Sequence, residues 1–157
     1  MASAARAELT DEVAGALRRY VEEAAALDQV IAERAGIALT DLHCLTLLER
    51  HGGSMTAGTL AELSRLTTGA VTGVINRLER AGLARRTADP HDGRRVIVEV
   101  QGEAARRGRE LLSPRAQAHA GLLEDYDAEQ LSLLRDLLRA AVERTHEQAV
   151  RLRTQGT

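Results

Sequence analysis

A mainly α-helical protein carrying one small β-hairpin is the fold class this sequence predicts, and three observations carry the prediction. Along much of the 157-residue chain apolar side chains recur every three or four positions, the spacing of one helical face. Phe and Trp are absent and there are only two Tyr, so the core must come from Leu, Val, Ile and Ala, which favours helix packing over a sheet sandwich. The exception is DPHDGRRVIVEV, residues 89–100, where turn-forming residues lead into two arginines and a β-branched run.

The first helix is expected from about Asp11 to Arg34, with Val13, Leu17, Tyr20, Ala24, Leu27 and Ile31 in a heptad-like stripe that Gly36 ends. Thr40 is placed to cap a second helix, DLHCLTLLERH, closed by Gly52 and Gly53. Thr56 can cap TAGTLAELS, and Thr67 can cap TGAVTGVINRLERA, which stops at Gly82. LARRTA and RVIVEV then read as two strands around the DPHDG turn. A helix from about Glu103 to Leu123 is expected to kink or restart at Ser113 and Pro114. Asp127 and Gln130 form a capping box for a last helix, with Leu131, Leu134, Leu138, Ala141 and Thr145 on one face.

Two short helices joined by a tight turn form a helix-turn-helix, and a two-stranded hairpin directly after it makes a winged helix. Charge is segregated to match. The net charge is only −2, yet residues 65–109 hold ten arginines against five acids, between ends in which acids prevail. All 21 basic residues are arginine, so every cationic site has a bidentate fork. One basic middle between acidic ends suits a small nucleic-acid reader.

Several classes are disfavoured. No apolar run approaches the length of a membrane helix and no secretory pattern opens the chain, so a cytoplasmic protein is expected. One cysteine, Cys44, leaves no disulfide framework and no CxxC pair. His51, His91, His119 and His146 lack metal-site spacing. There is no GxxxxGK[ST], GxGxxG or GxSxG pattern, so neither an enzyme, a metal nor a cofactor is expected.

In the helix after Thr67, Val71, Val74, Ile75 and Leu78 share the face that must pack inward. Thr68, Gly69, Thr72, Gly73, Asn76 and Arg77 share the other, which is small and polar. In a major groove Asn pairs with adenine, Arg with guanine, and a Thr methyl meets the thymine methyl. Thr67 and Thr68 place unpaired backbone N–H groups where a phosphate can sit. Gly69 and Gly73 each weaken the helix by about 1 kcal/mol relative to Ala, tolerable where bare backbone approaches a partner closely. Arg94 and Arg95 alternate across a strand at the hairpin tip, one able to enter a minor groove and the other to meet a phosphate, with Asp92 able to fix their reach. The same arginines could instead bind an acidic protein partner.

TLAELSRLTTGAVTGVINRLERAGLARRTADPHDGRRVIVEV, residues 59–100, resembles the winged-helix core of the MarR family of bacterial transcriptional regulators. The family's LAE falls on residues 60–62, its VTxxIxRLExxGLxxR pattern on residues 71–86, and the DxR of its wing on Asp92 and Arg94. The resemblance implies one domain over residues 1–157, with residues 37–102 as the DNA-binding core and residues 1–36 and 103–157 as long dimerisation helices. It further implies an obligate homodimer on a pseudo-palindromic operator, usually a repressor released by a small ligand or an oxidant.

Ligands in the family usually bind between the dimer helices and the DNA-binding lobe, which would put Tyr20 and His43 nearby. Redox release would rest on Cys44, for which the sequence offers no activating arrangement. Three positions depart from the family pattern. Gly73 stands where many members carry arginine, which shifts base readout toward Thr72, Asn76 and Arg77. Arg95 replaces the usual serine after the DxR unit, and Pro114 interrupts a helix that is commonly continuous.

Overall fold

The computed structural model describes residues 2–88 and 95–155. In chain order the elements are α1 (Ala2–Ala35), α2 (Leu39–Arg50), β1 (Ser54–Thr56), α3 (Ala57–Ser64), α4 (Thr68–Arg80), β2 (Arg85–Ala88), β3 (Val96–Glu99), α5 (Glu103–His119) and α6 (Ala128–Gln155). They fall into two compact units, Met1–Ala116 and Gln117–Thr157.

Local chemistry sets most boundaries. Thr56 Oγ1 accepts from the Thr59 amide at 3.1 Å and Thr67 Oγ1 from the Ala70 amide at 3.2 Å, capping α3 and α4 as the sequence predicts. The Asp127–Gln130 box closes reciprocally, each backbone amide donating to the other's side chain at 2.9 Å. The cap of α2 differs from expectation. Thr40 lies inside the helix, and the N-cap is Ala38, whose amide donates to Oδ2 of Asp41 at 3.2 Å. An alanine offers no capping oxygen, so the carboxylate one turn on covers the exposed N–H instead.

The helices of the first unit end alike. Beyond α1, α3 and α4 an amide bonds back five residues, Ile37 to Ala32, Leu66 to Ala61 and Leu83 to Leu78, across a left-handed residue. Gly36 and Gly82 fill that position in two cases, whereas Arg65 fills it in the helix-turn-helix with φ 58°, at a cost of roughly 1–2 kcal/mol relative to a relaxed backbone.

The small sheet has three strands, in the order β1-β3-β2 and all antiparallel. Val98 faces Met55 on one side and Arg86 on the other. The hairpin expected from sequence is therefore joined by a third strand, which leads straight into the Thr56 cap. The main core lies between this sheet and the helices α2, α3 and α4. Leu45, Leu48, Leu60, Ile75, Leu78 and Val98 are all essentially fully buried there, and each large aliphatic side chain so buried contributes about 1.5–3 kcal/mol. Ile31, Ala32 and Leu42 form a second cluster with Leu111 and Leu112, packing α1 and α5 onto α2.

α5 runs through Pro114 without the expected restart. Proline has no amide to give the Glu110 carbonyl, and the Ser113 hydroxyl supplies that carbonyl with a donor at 2.9 Å. No helix among the described residues is long and apolar enough to cross a membrane.

Candidate nucleic-acid interface

The helix-turn-helix consists of α3, the turn at Arg65–Thr67, and α4. Val71, Val74, Ile75 and Leu78 are buried, which fixes the face that α4 turns outward. Thr67, Thr68, Gly69, Thr72 and Asn76 are exposed on it, while Gly73 and Arg77 are half-buried. The Thr72 hydroxyl donates to the Thr68 carbonyl at 2.9 Å. A Cβ on Gly69 would meet nothing within 4 Å, and one on Gly73 would meet only Nη1 of Arg77, at 3.4 Å. Neither glycine is therefore demanded by packing within the chain.

Two charged clamps hold α4. On the α2 side, Arg77 donates from Nε to both oxygens of Asp41, at 3.1 and 2.8 Å, and from Nη2 to Oδ1 at 2.7 Å. The Asp41 side chain is completely buried while that of Arg77 is 42% exposed. The hydrogen bond to Asp41 raises the Arg77 pKa further, so the guanidinium stays charged. On the wing side, Glu79 accepts from the Arg86 amide at 2.8 Å and pairs with the Arg86 guanidinium, which also reaches the Thr72 carbonyl at 3.3 Å. Asp41, Glu79 and Arg86 were not singled out in the sequence. Glu79 and Arg86 fall inside the family pattern, but Asp41 carries no local signal, because it reads as an ordinary acid in the first turn of a helix.

In the wing, Arg85 of β2 pairs with Glu99 of β3 at 2.9 Å, and Arg95 is exposed just before β3. Asp92 and Arg94 lie outside the described residues.

His43 lies on the exposed side of α2, near a group that joins three helices. Arg115 of α5 donates to Asp28 of α1 at 2.5 Å and to Thr46 of α2 at 2.7 Å. Burial lowers the His43 pKa and Arg115 lowers it further, with Asp28 opposing, so the ring is neutral at pH 7 although part of it meets solvent. The polar group near His43 is built from Asp28, Thr46 and Arg115, and Tyr20 precedes Asp28 on α1 by eight residues, about 12 Å along the helix axis.

Cys44 is fully buried, and burial pushes its thiol pKa up against an opposing hydrogen bond from Ser64. That is the reverse of an activated thiolate. Among the described residues no group of three metal-ligating side chains comes together.

Residues 37–96 match the model of the MarR family. The chain is 30% identical over 148 residues to the uncharacterized HTH-type transcriptional regulator YcgE of Bacillus subtilis (strain 168), an alignment covering 94% of this chain and 96% of that protein. Among solved structures, a MarR family protein from Bacillus stearothermophilus superposes with a TM-score of 0.66 at 22% identity, over 88% of this chain and 96% of that one. NadR in complex with 4-hydroxyphenylacetate superposes with a TM-score of 0.63 at 26% identity, over 80% and 88%.

Proposed function

The chain belongs to the MarR family of transcriptional regulators, and from that premise we propose a homodimeric repressor that binds a pseudo-palindromic DNA operator and leaves it when a small ligand binds. It is a regulator and not an enzyme. One observation carries the DNA reading: the outward face of α4 is small, polar and accessible, while the helix itself is clamped at Asp41 and at Arg86. A major groove takes such a helix without clash, and Thr72 and Asn76 offer the hydroxyl, methyl and amide that distinguish base edges. Thr67, Thr68 and Gly69 bring the helix N-terminus to a phosphate. Asp92, Arg94 and Arg95 serve the adjacent minor groove and its backbone.

Dimerisation is supported by apolar side chains that neither unit covers for itself. Leu9, Val13 and Val21 are exposed on α1, and Leu133, Leu137 and Val142 on α6. Such surfaces call for a partner, and a two-fold axis would present the recognition helices to half-sites about 34 Å apart, one turn of duplex. Ligand release is supported by the likeness to NadR, which carries a small phenolic acid. In this reading the ligand sits beside His43, next to the group that Asp28, Thr46 and Arg115 form, with Tyr20 further along α1.

Fluorescence anisotropy against duplex DNA flanking the protein's own gene, with scrambled duplex as control, tests the reading. Sequence preference, a log–log salt slope of about −0.9 per phosphate contact, and weakening by Arg94→Ala are expected. Binding only to an acidic protein, with no duplex preferred at low salt, would overturn it. Light scattering at micromolar concentration tests the dimer, and a monomer there would refute it.

A further inference from the structure

We propose that Asp41 is a positioning residue for operator binding and that Arg77 acts through it, setting the orientation of α4, instead of reading a base. The inference rests on α4 being the recognition helix, and it changes the role of one residue on that helix.

The groups involved are three. Asp41 is the buried charged residue of the described core, with none of its side chain exposed. Its Oδ2 accepts from the Ala38 amide, and the same carboxylate takes both Nε and Nη2 of Arg77. The Nε–Nη2 edge is one of the guanidinium forks that would grip guanine O6 and N7, and it is already occupied.

Magnitudes decide between the roles. A bidentate contact to a base discriminates by roughly fivefold to 150-fold. Breaking a buried pair so that one charge is left alone costs roughly 150-fold to several thousandfold in equilibrium. Arg77 is partly exposed, so the lower end of that range applies here, and it still matches or exceeds what a base would return. Arg77 therefore stays on Asp41 when DNA binds.

The position of the pair gives it its function. Asp41 stands in the first turn of α2, next to the α1–α2 turn, and α4 runs alongside, so Ala35, Gly36, Ile37, Arg77 and Arg80 line one groove of about 360 Å³ with Asp41. The buried Val71, Val74, Ile75 and Leu78 set which face of α4 turns outward, and the pair ties that rotation to the α1–α2 junction, so the outward face of Thr68, Thr72 and Asn76 is held with it. A Cβ at Gly73 would stand 3.4 Å from Nη1 of Arg77, an ordinary contact, so the pair does not depend on the glycine.

The test uses the full-length protein and a duplex that the wild type selects from a randomised library, together with every single base-pair variant of that duplex. Asp41→Asn and Arg77→Gln are each expected to weaken binding about tenfold or more on all the variants alike, leaving their ranking unchanged. The double variant should bind no more weakly than the worse single one, and Arg77→Lys should recover part of the loss. Amide exchange in residues 71–80 should quicken in Asp41→Asn without DNA. Flattened preference at one base pair in Arg77→Gln, with Asp41→Asn binding normally, would overturn the inference. Should Asp41→Asn melt below the assay temperature, Arg77→Lys decides: a uniform loss supports positioning and a loss confined to one base pair refutes it. A wild type that selects no sequence overturns the DNA reading and this inference with it, and is recognised before any variant is made.

Discussion

Arg86 engages Glu79 twice, its backbone amide donating to Oε1 at 2.8 Å and its guanidinium pairing with Oε2. The carboxylate thus joins the last full turn of α4 to the first wing strand. Glu79→Ala leaves a part-buried amide without its acceptor, which costs about 1–3 kcal/mol. Glu79→Gln keeps an acceptor and should lose less. Urea unfolding of both variants checks the order, and equal loss would show that the charge, not the amide, carries the contact.

Gly69→Ala should stabilise the protein by up to about 1 kcal/mol, because α4 gains a better helix former and the new Cβ meets nothing within 4 Å. That corresponds to a rise in Tm of about 2–4 °C for a chain of this size. Operator affinity should fall in the same variant, as expected where DNA backbone approaches the helix closely. A stabilised protein with unaltered affinity would make the glycine incidental.

His43 should titrate below its ordinary 6.5, since burial and then Arg115 disfavour the imidazolium. Histidine resonances followed by NMR give the midpoint. Arg115→Gln should raise it and Asp28→Asn should lower it, because the two act with opposite sign. The folded state holds this proton less tightly than the unfolded chain. The group's contribution to stability is therefore present above pH 6.5 and is lost as pH falls through the folded midpoint.

Cys44 should resist peroxide and alkylation in the native protein, and DNA binding should survive both treatments. Its thiol is pushed above the ordinary 9.0 by burial, so the unfolded chain releases the proton first. Stability from this group is intact below pH 9 and declines as pH rises beyond it. Loss of operator binding on oxidation, reversed by thiol, would instead make it a sensor.

What the sequence revealed was local. Thr56, Thr67 and the Asp127–Gln130 box act within three residues of themselves, and the inward face of α4 repeats with the helical period, so each could be read without knowing the fold. β1 could not, because three residues that follow a glycine pair and end in a cap have no period of their own and become a strand only by pairing with β3. Asp41 stayed hidden for the same reason, its partner being 36 positions away. Arg77 has a place on the helix that suggests the groove, and its bond to Asp41 of α2, made possible by the length of the side chain, could not be read from the sequence either. Pro114 signals a break, but the preceding serine repairs the hydrogen bond that the proline removes.

β3 is held by ladders on both sides, and its register is pinned where Val98 meets Met55 and Arg86. Among the described residues the last rung of the β2–β3 ladder is Ala88 with Val96. A strand locked along two edges cannot slip on one side alone, so a one-residue deletion in β3 should disturb the sheet more than the same deletion in β1, which answers to a single ladder.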